Sequence, residues 1–189
     1  MRGIELAKEA ERRVVDTKGR VHLYVRGFSA QSAVSAASIA DAIQWLPGFH
    51  LAGLREIVYA PDEPIRYPSL GVARPSSSWA EYRQVARAIF VHKADHSALF
   101  WHVLYHEIGH HVYFLVLSSA IKKRWATELY SRSHCATAYG LAGVAEDFAE
   151  CYSLYAQDTR SLDDFPKKLS FMREEVFSGD AHTLKEESG

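Results

Sequence analysis

The sequence predicts an α+β fold: a small twisted mixed sheet in the N-terminal part, packed on one long apolar helix, with a helical C-terminal half. Three observations carry this. Short runs that alternate apolar and polar residues fall before residue 94, Pro and Gly punctuate the chain between them, and from Ala94 onward the apolar residues recur at helical spacing. At 189 residues and 48% hydrophobic content, the chain can bury one substantial core, and no stretch resembles a linker between two. One domain is therefore expected over 1–189, with a sheet-containing part (1–93), a helical part (94–177) and a polar tail (178–189) without periodicity.

Taken in order, Val21-His22-Leu23-Tyr24-Val25 alternates as a strand, and Ala36 to Leu46 reads as a helix ended by Pro47-Gly48. Leu54 to Tyr59 reads as a second strand ended by Pro61. Pro61, Pro64, Pro68 and Pro75 crowd the next stretch into loop, leaving Gly71 to Arg74 as a short strand, and Ile89 to His92 forms another. If Gly71 to Arg74 is the sheet edge beside the long helix, an extended peptide can pair with it. The helices that follow are expected at Ala98 to Leu117, about Ser119 to Arg132, around Glu146, and around Phe165 to Phe177.

A formal net charge of −1 and a pI near 6.8 supply no global field for nucleic acid. Lys122, Lys123 and Arg124 make only a short cluster on a helix surface. Met1 to Arg13 alternates charge and lacks the apolar centre of a signal peptide, so a cytoplasmic location is expected. Ala98 to Leu117 is apolar enough to suggest a membrane span, but its histidines and glutamate, with no flanking basic bias, argue against one. Cys135 and Cys151 need no disulfide framework. Neither is well placed as a nucleophile, and Cys135 with its neighbour His134 is expected to cap the helix beginning near Ala142.

The run His106-Glu107-Ile108-Gly109-His110 places two imidazoles four residues apart, a step of about 400° that leaves them on one helix face. Two imidazole nitrogens so placed can meet one zinc ion, with the intervening carboxylate close enough to take a proton from water. The surrounding segment is almost wholly apolar. Burying ionisable groups there costs several kcal/mol unless they are paired or bind metal, on the order of what a ligand role repays.

A catalytic zinc needs a third protein ligand, and the best candidate is Glu146, with Glu150 one helical turn further on. Glu146 is expected to coordinate zinc, while Glu150 accepts a hydrogen bond from the distal N–H of a ligating histidine and fixes its tautomer. The reverse assignment stays open.

The stretch Tyr139-Gly140-Leu141-Ala142-Gly143-Val144-Ala145-Glu146-Asp147-Phe148-Ala149-Glu150, downstream of His106 to His110, resembles the anthrax lethal factor and Pro-Pro endopeptidase group of zinc metallopeptidases. Members of that group carry a tyrosine seven residues before the glutamate ligand, as Tyr139 stands to Glu146. The resemblance covers roughly Gly71 to Asp158. It implies a zincin-like fold of the gluzincin type, a peptide or protein substrate, and an oxyanion-binding role for Tyr139. His111 departs from the pattern, since many relatives carry a small residue after the motif.

The expected chemistry is zinc-dependent peptide hydrolysis. Zn2+ held by His106, His110 and Glu146 activates a water, Glu107 is the general base, and Tyr139 stabilises the oxyanion. The competing class is a non-proteolytic binding or regulatory protein on a metallopeptidase fold, with zinc only stabilising it. A closed site of that kind would recruit a further ligand, His102 or His134. Within the enzyme class, other amides or esters are the alternative bonds. Neither a nucleic-acid nor a membrane partner is expected, and oligomeric state is not legible.

Overall fold

The computed structural model describes residues 13–16, 22–62, 65–66, 73–74, 78–131 and 134–177. The main sheet has five strands: β1 (Arg13–Asp16), β2 (His22–Arg26), β3 (Glu56–Tyr59), β6 (Ala80–Arg83) and β7 (Ala88–Val91), in the order β1-β2-β3-β7-β6. The central pairs β2/β3 and β3/β7 are parallel, while β1 and β6 run antiparallel at the two edges. A separate ribbon joins β4 (Ile65–Arg66) to β5 (Ala73–Arg74).

Alternation explains β2, where Leu23 and Val25 are buried and Tyr24 faces outward. Central β3 and β7 read instead as apolar runs, with Ile57 registered against Ile89 at the heart of the sheet. The parallel β2/β3 pair requires a crossover, supplied by α1 (Ala36–Ile43). Its first turn is held by a reciprocal cap between Ser35 and Ser38. Gly27 closes β2 with φ 82°, and a Cβ there would lie 2.7 Å from the Tyr59 carbonyl oxygen, so both conformation and space demand glycine.

The long apolar segment forms α2 (Ala98–His111), capped by the Ser97 hydroxyl on the Phe100 N–H, and it continues as a widened π turn through Val116. Then come α3 (Ser119–Arg124), α4 (Val144–Gln157) and α5 (Pro166–Phe171), with π turns extending α3 and α5. Helices α2 and α4 lie side by side, and Phe100, Leu104 and Ile108 of α2 join Ile57 and Ile89 of the sheet in one core. The mixed α+β arrangement is as the sequence predicts. Among the described residues no helix is long and apolar enough to cross a membrane.

Two expectations need correction. The edge strand beside α2 is Ala80–Arg83, not Gly71 to Arg74: among the described residues Ala73–Arg74 pairs with Ile65–Arg66 alone, and Gly71 and Val72 lie outside them. The sequence assigned no element to Arg13–Asp16, where β1 forms by pairing with β2. Neither Cys135 nor His134 caps α4, whose N-cap is Gly143 without a side-chain hydrogen bond. The expected polar tail, 178–189, lies outside the described residues.

Candidate metal centre

The stripe of α2 that faces α4 carries His106 and His110, and the first turn of α4 carries Glu146. The Nε2 atoms of both histidines lie 3.2 Å from the same oxygen, Glu146 Oε2. The three donor atoms fall within 4.8 Å of one another. Zinc bonds of roughly 2.0–2.1 Å in a tetrahedral site set neighbouring donors about 3.3 Å apart. The histidine-to-glutamate spacing matches that geometry. His102 and His134 do not join the group, and among the described residues no other cluster of this kind occurs.

His106 is pinned from its far side, where Nδ1 lies 2.7 Å from Glu150 Oε1. A neutral imidazole has one N–H, so it cannot donate to Glu150 and Glu146 at once. With Glu146 ionised, the ring is either charged or gives its Nε2 lone pair to a cation that also binds Glu146. Burial disfavours a charged His106, but hydrogen bonds with Glu146 and Glu150 outweigh it and raise the group to about 9. Burial also opposes an ionised Glu146, yet the two histidines bring it down to about 2. Glu150 is likewise held well below the usual carboxylate range, with bonds from His102, His106 and Thr137 overcoming burial. Two ionised carboxylates around two imidazoles make a donor set suited to a divalent cation, and the residues therefore fit zinc.

The two histidines are held unequally. His110 stacks on Phe114 with ring centroids 6.0 Å apart, and its buried Nδ1 has no hydrogen-bond partner among the described residues. His102, a candidate further ligand only for a closed site and otherwise read as a packed or supporting residue, faces Glu150 at 3.2 Å through Nε2. Its Nδ1 lies 3.2 Å from the Gln157 amide nitrogen, which can only donate, so Nε2 carries the proton that bonds Glu150. Glu150 Oε1 thus accepts from two histidines, only one of which belongs to the donor group. His134 is exposed.

Glu107 is buried between the two donor histidines in sequence, and its Oε2 accepts a 2.7 Å hydrogen bond from the Tyr82 main-chain N–H on β6. Burial pushes its carboxyl upward, against the pull of His110 and His106. A cleft of about 480 Å³ reaches it, lined by Trp79, Leu99 and Val103 as well as His106, Glu107 and Tyr139. Tyr139 is 62% exposed and sits on the short turn before α4, its ring centroid 5.6 Å from that of His106. The phenol therefore borders the space in front of the donor group.

Sequence reasoning missed Tyr82 here and gave His111 no role. Tyr82 supplies the N–H on Glu107, and its hydroxyl lies 3.0 Å from His111 Nδ1. Burial lowers His111 to about 4, so it stays neutral, and raises the Tyr82 phenol to about 12. The unusual second histidine of His110-His111 was the available signal, but its partner lies on a strand too short to announce itself.

Compared with protein-family models and with curated proteins, the chain matches none.

Proposed function

We propose that the protein is a zinc-dependent metallopeptidase of zincin-like fold, cutting peptide or protein substrates bound in the cleft before His106. One observation carries the reading. Two histidines one turn apart converge with Glu146 from a separate helix on a single point, while the carboxylate between them opens on a cleft. Zinc, when bound, supplies a Lewis acid that polarises the scissile carbonyl and lowers the pKa of water.

The chain's own groups do the rest. Glu107 accepts the proton of the attacking water at one carboxylate oxygen, the other being held by Tyr82 N–H, and passes it to the departing amine nitrogen. Burial raises the Glu107 carboxyl and so makes it a better base at neutral pH. Tyr139, bordering the cleft, donates its O–H to the oxygen on which charge develops. Glu150 orients His106 through Nδ1.

Metal analysis of the purified protein, together with a quenched-peptide library, tests this. Stoichiometric zinc is expected in wild type and in Glu107→Gln, with turnover reduced by about 10²–10⁴ in the variant. A wild type that takes up no zinc, or a variant of full activity, overturns the reading. Cleavage of small esters without peptides would move it to another hydrolase class.

A further inference from the structure

Glu107 works only if its carboxylate is held still, and what holds it is a main-chain N–H on β6, the outermost strand of the sheet. A four-residue edge strand paired on one side is among the elements most prone to local opening. Its placement against α2 therefore needs a fixing point beyond the β7 ladder.

Tyr82 provides one. The residue meets α2 twice: its N–H lies 2.7 Å from Glu107 Oε2, and its hydroxyl 3.0 Å from His111 Nδ1. Glu107 and His111 are four residues apart, so the two contacts sit one helical turn apart on the same side of α2. One contact would leave the strand free to pivot or slide; two fix its position along the helix. The direction of the second bond is set from elsewhere. His111 Nε2 lies 3.0 Å from the Ala52 carbonyl oxygen, which can only accept, so Nε2 carries the ring proton and Nδ1 accepts from the Tyr82 O–H. An apolar residue at 111 would leave the half-buried phenol and the Ala52 carbonyl without this partner.

We propose that Tyr82 and His111 form a positioning pair that locks β6 onto α2, so that the Tyr82 N–H holds Glu107 in its working orientation. The kinetic part of this rests on the metallopeptidase reading; the structural part does not. Neither residue supplies a donor atom, so loosening the pair slows proton transfer without weakening metal binding.

The test begins with Tyr82→Phe, which removes only the hydroxyl and keeps the ring and the main-chain N–H. Amide exchange at residue 82 is expected to rise about ten-fold, in metal-free and zinc-loaded protein alike. On a cleaved peptide, kcat should fall about ten-fold with KM within about two-fold and zinc content unchanged. His111→Asn, with an obligate acceptor near the Nδ1 position, should keep turnover and slow exchange even if it lowers Tm, whereas His111→Leu should behave as Tyr82→Phe. The double variant Tyr82→Phe/His111→Leu should be no slower than the worse single one. Wild-type exchange at residue 82 in Tyr82→Phe overturns the proposal. So do additive losses in the double variant, and activity that follows Tm across the histidine variants. If wild type cleaves no peptide, the metallopeptidase reading falls while the exchange data still decide the pair.

Discussion

Gly109 and Ala149 bring α2 and α4 into close contact: a Cβ on Gly109 would lie 3.0 Å from the Ala149 Cα and 3.1 Å from the Tyr152 Cβ. This contact joins the two segments that carry the candidate donor atoms, His106 to His110 on one helix and Glu146 to Glu150 on the other. The glycine is thus a spacer of the donor group, chosen for its missing side chain although it is a poor helix former.

Gly109→Ala should therefore weaken zinc binding even though alanine favours the helix. Pushing the backbones apart costs about 1–3 kcal/mol, against the ~1 kcal/mol gained in propensity. Zinc titration and thermal unfolding check this together. An alanine variant with wild-type zinc affinity would show that α4 moves without carrying Glu146.

Glu146 and Glu150 should separate by the size of their effects. Glu146→Ala removes a donor, while Glu150→Ala removes only the acceptor on His106 Nδ1 and should lower zinc affinity about 10–100-fold. Competition with a chromophoric chelator measures both. Equal losses would mean that the two carboxylates exchange roles.

Behind the site, Lys168 Nζ lies 2.6 and 2.7 Å from the two carboxylate oxygens of Asp147, the neighbour of Glu146, and both side chains are buried. This pair ties α5 to the start of α4. Lys168→Met should cost about 3–5 kcal/mol by stranding a buried carboxylate, while Lys168→Met combined with Asp147→Leu should cost less. Urea denaturation reads both. A single variant costing under about 1 kcal/mol would show that Asp147 finds water instead.

Acid should destabilise the fold through His50. Its Nδ1 lies 2.8 Å from the Tyr152 hydroxyl and its Nε2 2.7 Å from the Val176 carbonyl oxygen, and burial lowers it from 6.5 to about 4 although the carbonyl opposes the shift. Between those values the unfolded chain binds a proton that the folded chain refuses. The stability is full above pH 6.5 and is lost as pH falls toward 4, by about 3 kcal/mol at most. His50→Gln should flatten the stability profile over that interval, leaving the contribution of His111, which is also lowered to about 4. An unchanged slope would remove His50 as the cause.

Parts of this molecule were legible in the chain because they are local. Four-residue spacing puts His106 and His110 on one face of any helix, and alternation marks Leu23 and Val25 as inward-facing. Such features depend on neighbours a few residues away. Glu146 and Glu150 were legible as a pair one turn apart, but their distances to the imidazoles were not.

Tertiary packing decided the rest. Strand β6, four residues long, exists because β7 pairs with it, and nothing in Ala80-Glu81-Tyr82-Arg83 alone says that its N–H would meet Glu107. His102 turning to Glu150, Tyr82 bonding His111 and Lys168 reaching Asp147 each join residues more than twenty positions apart. Periodicity reports which face a side chain occupies; only the packed chain reports what lies opposite it, because that is set by how helices and strands approach in space.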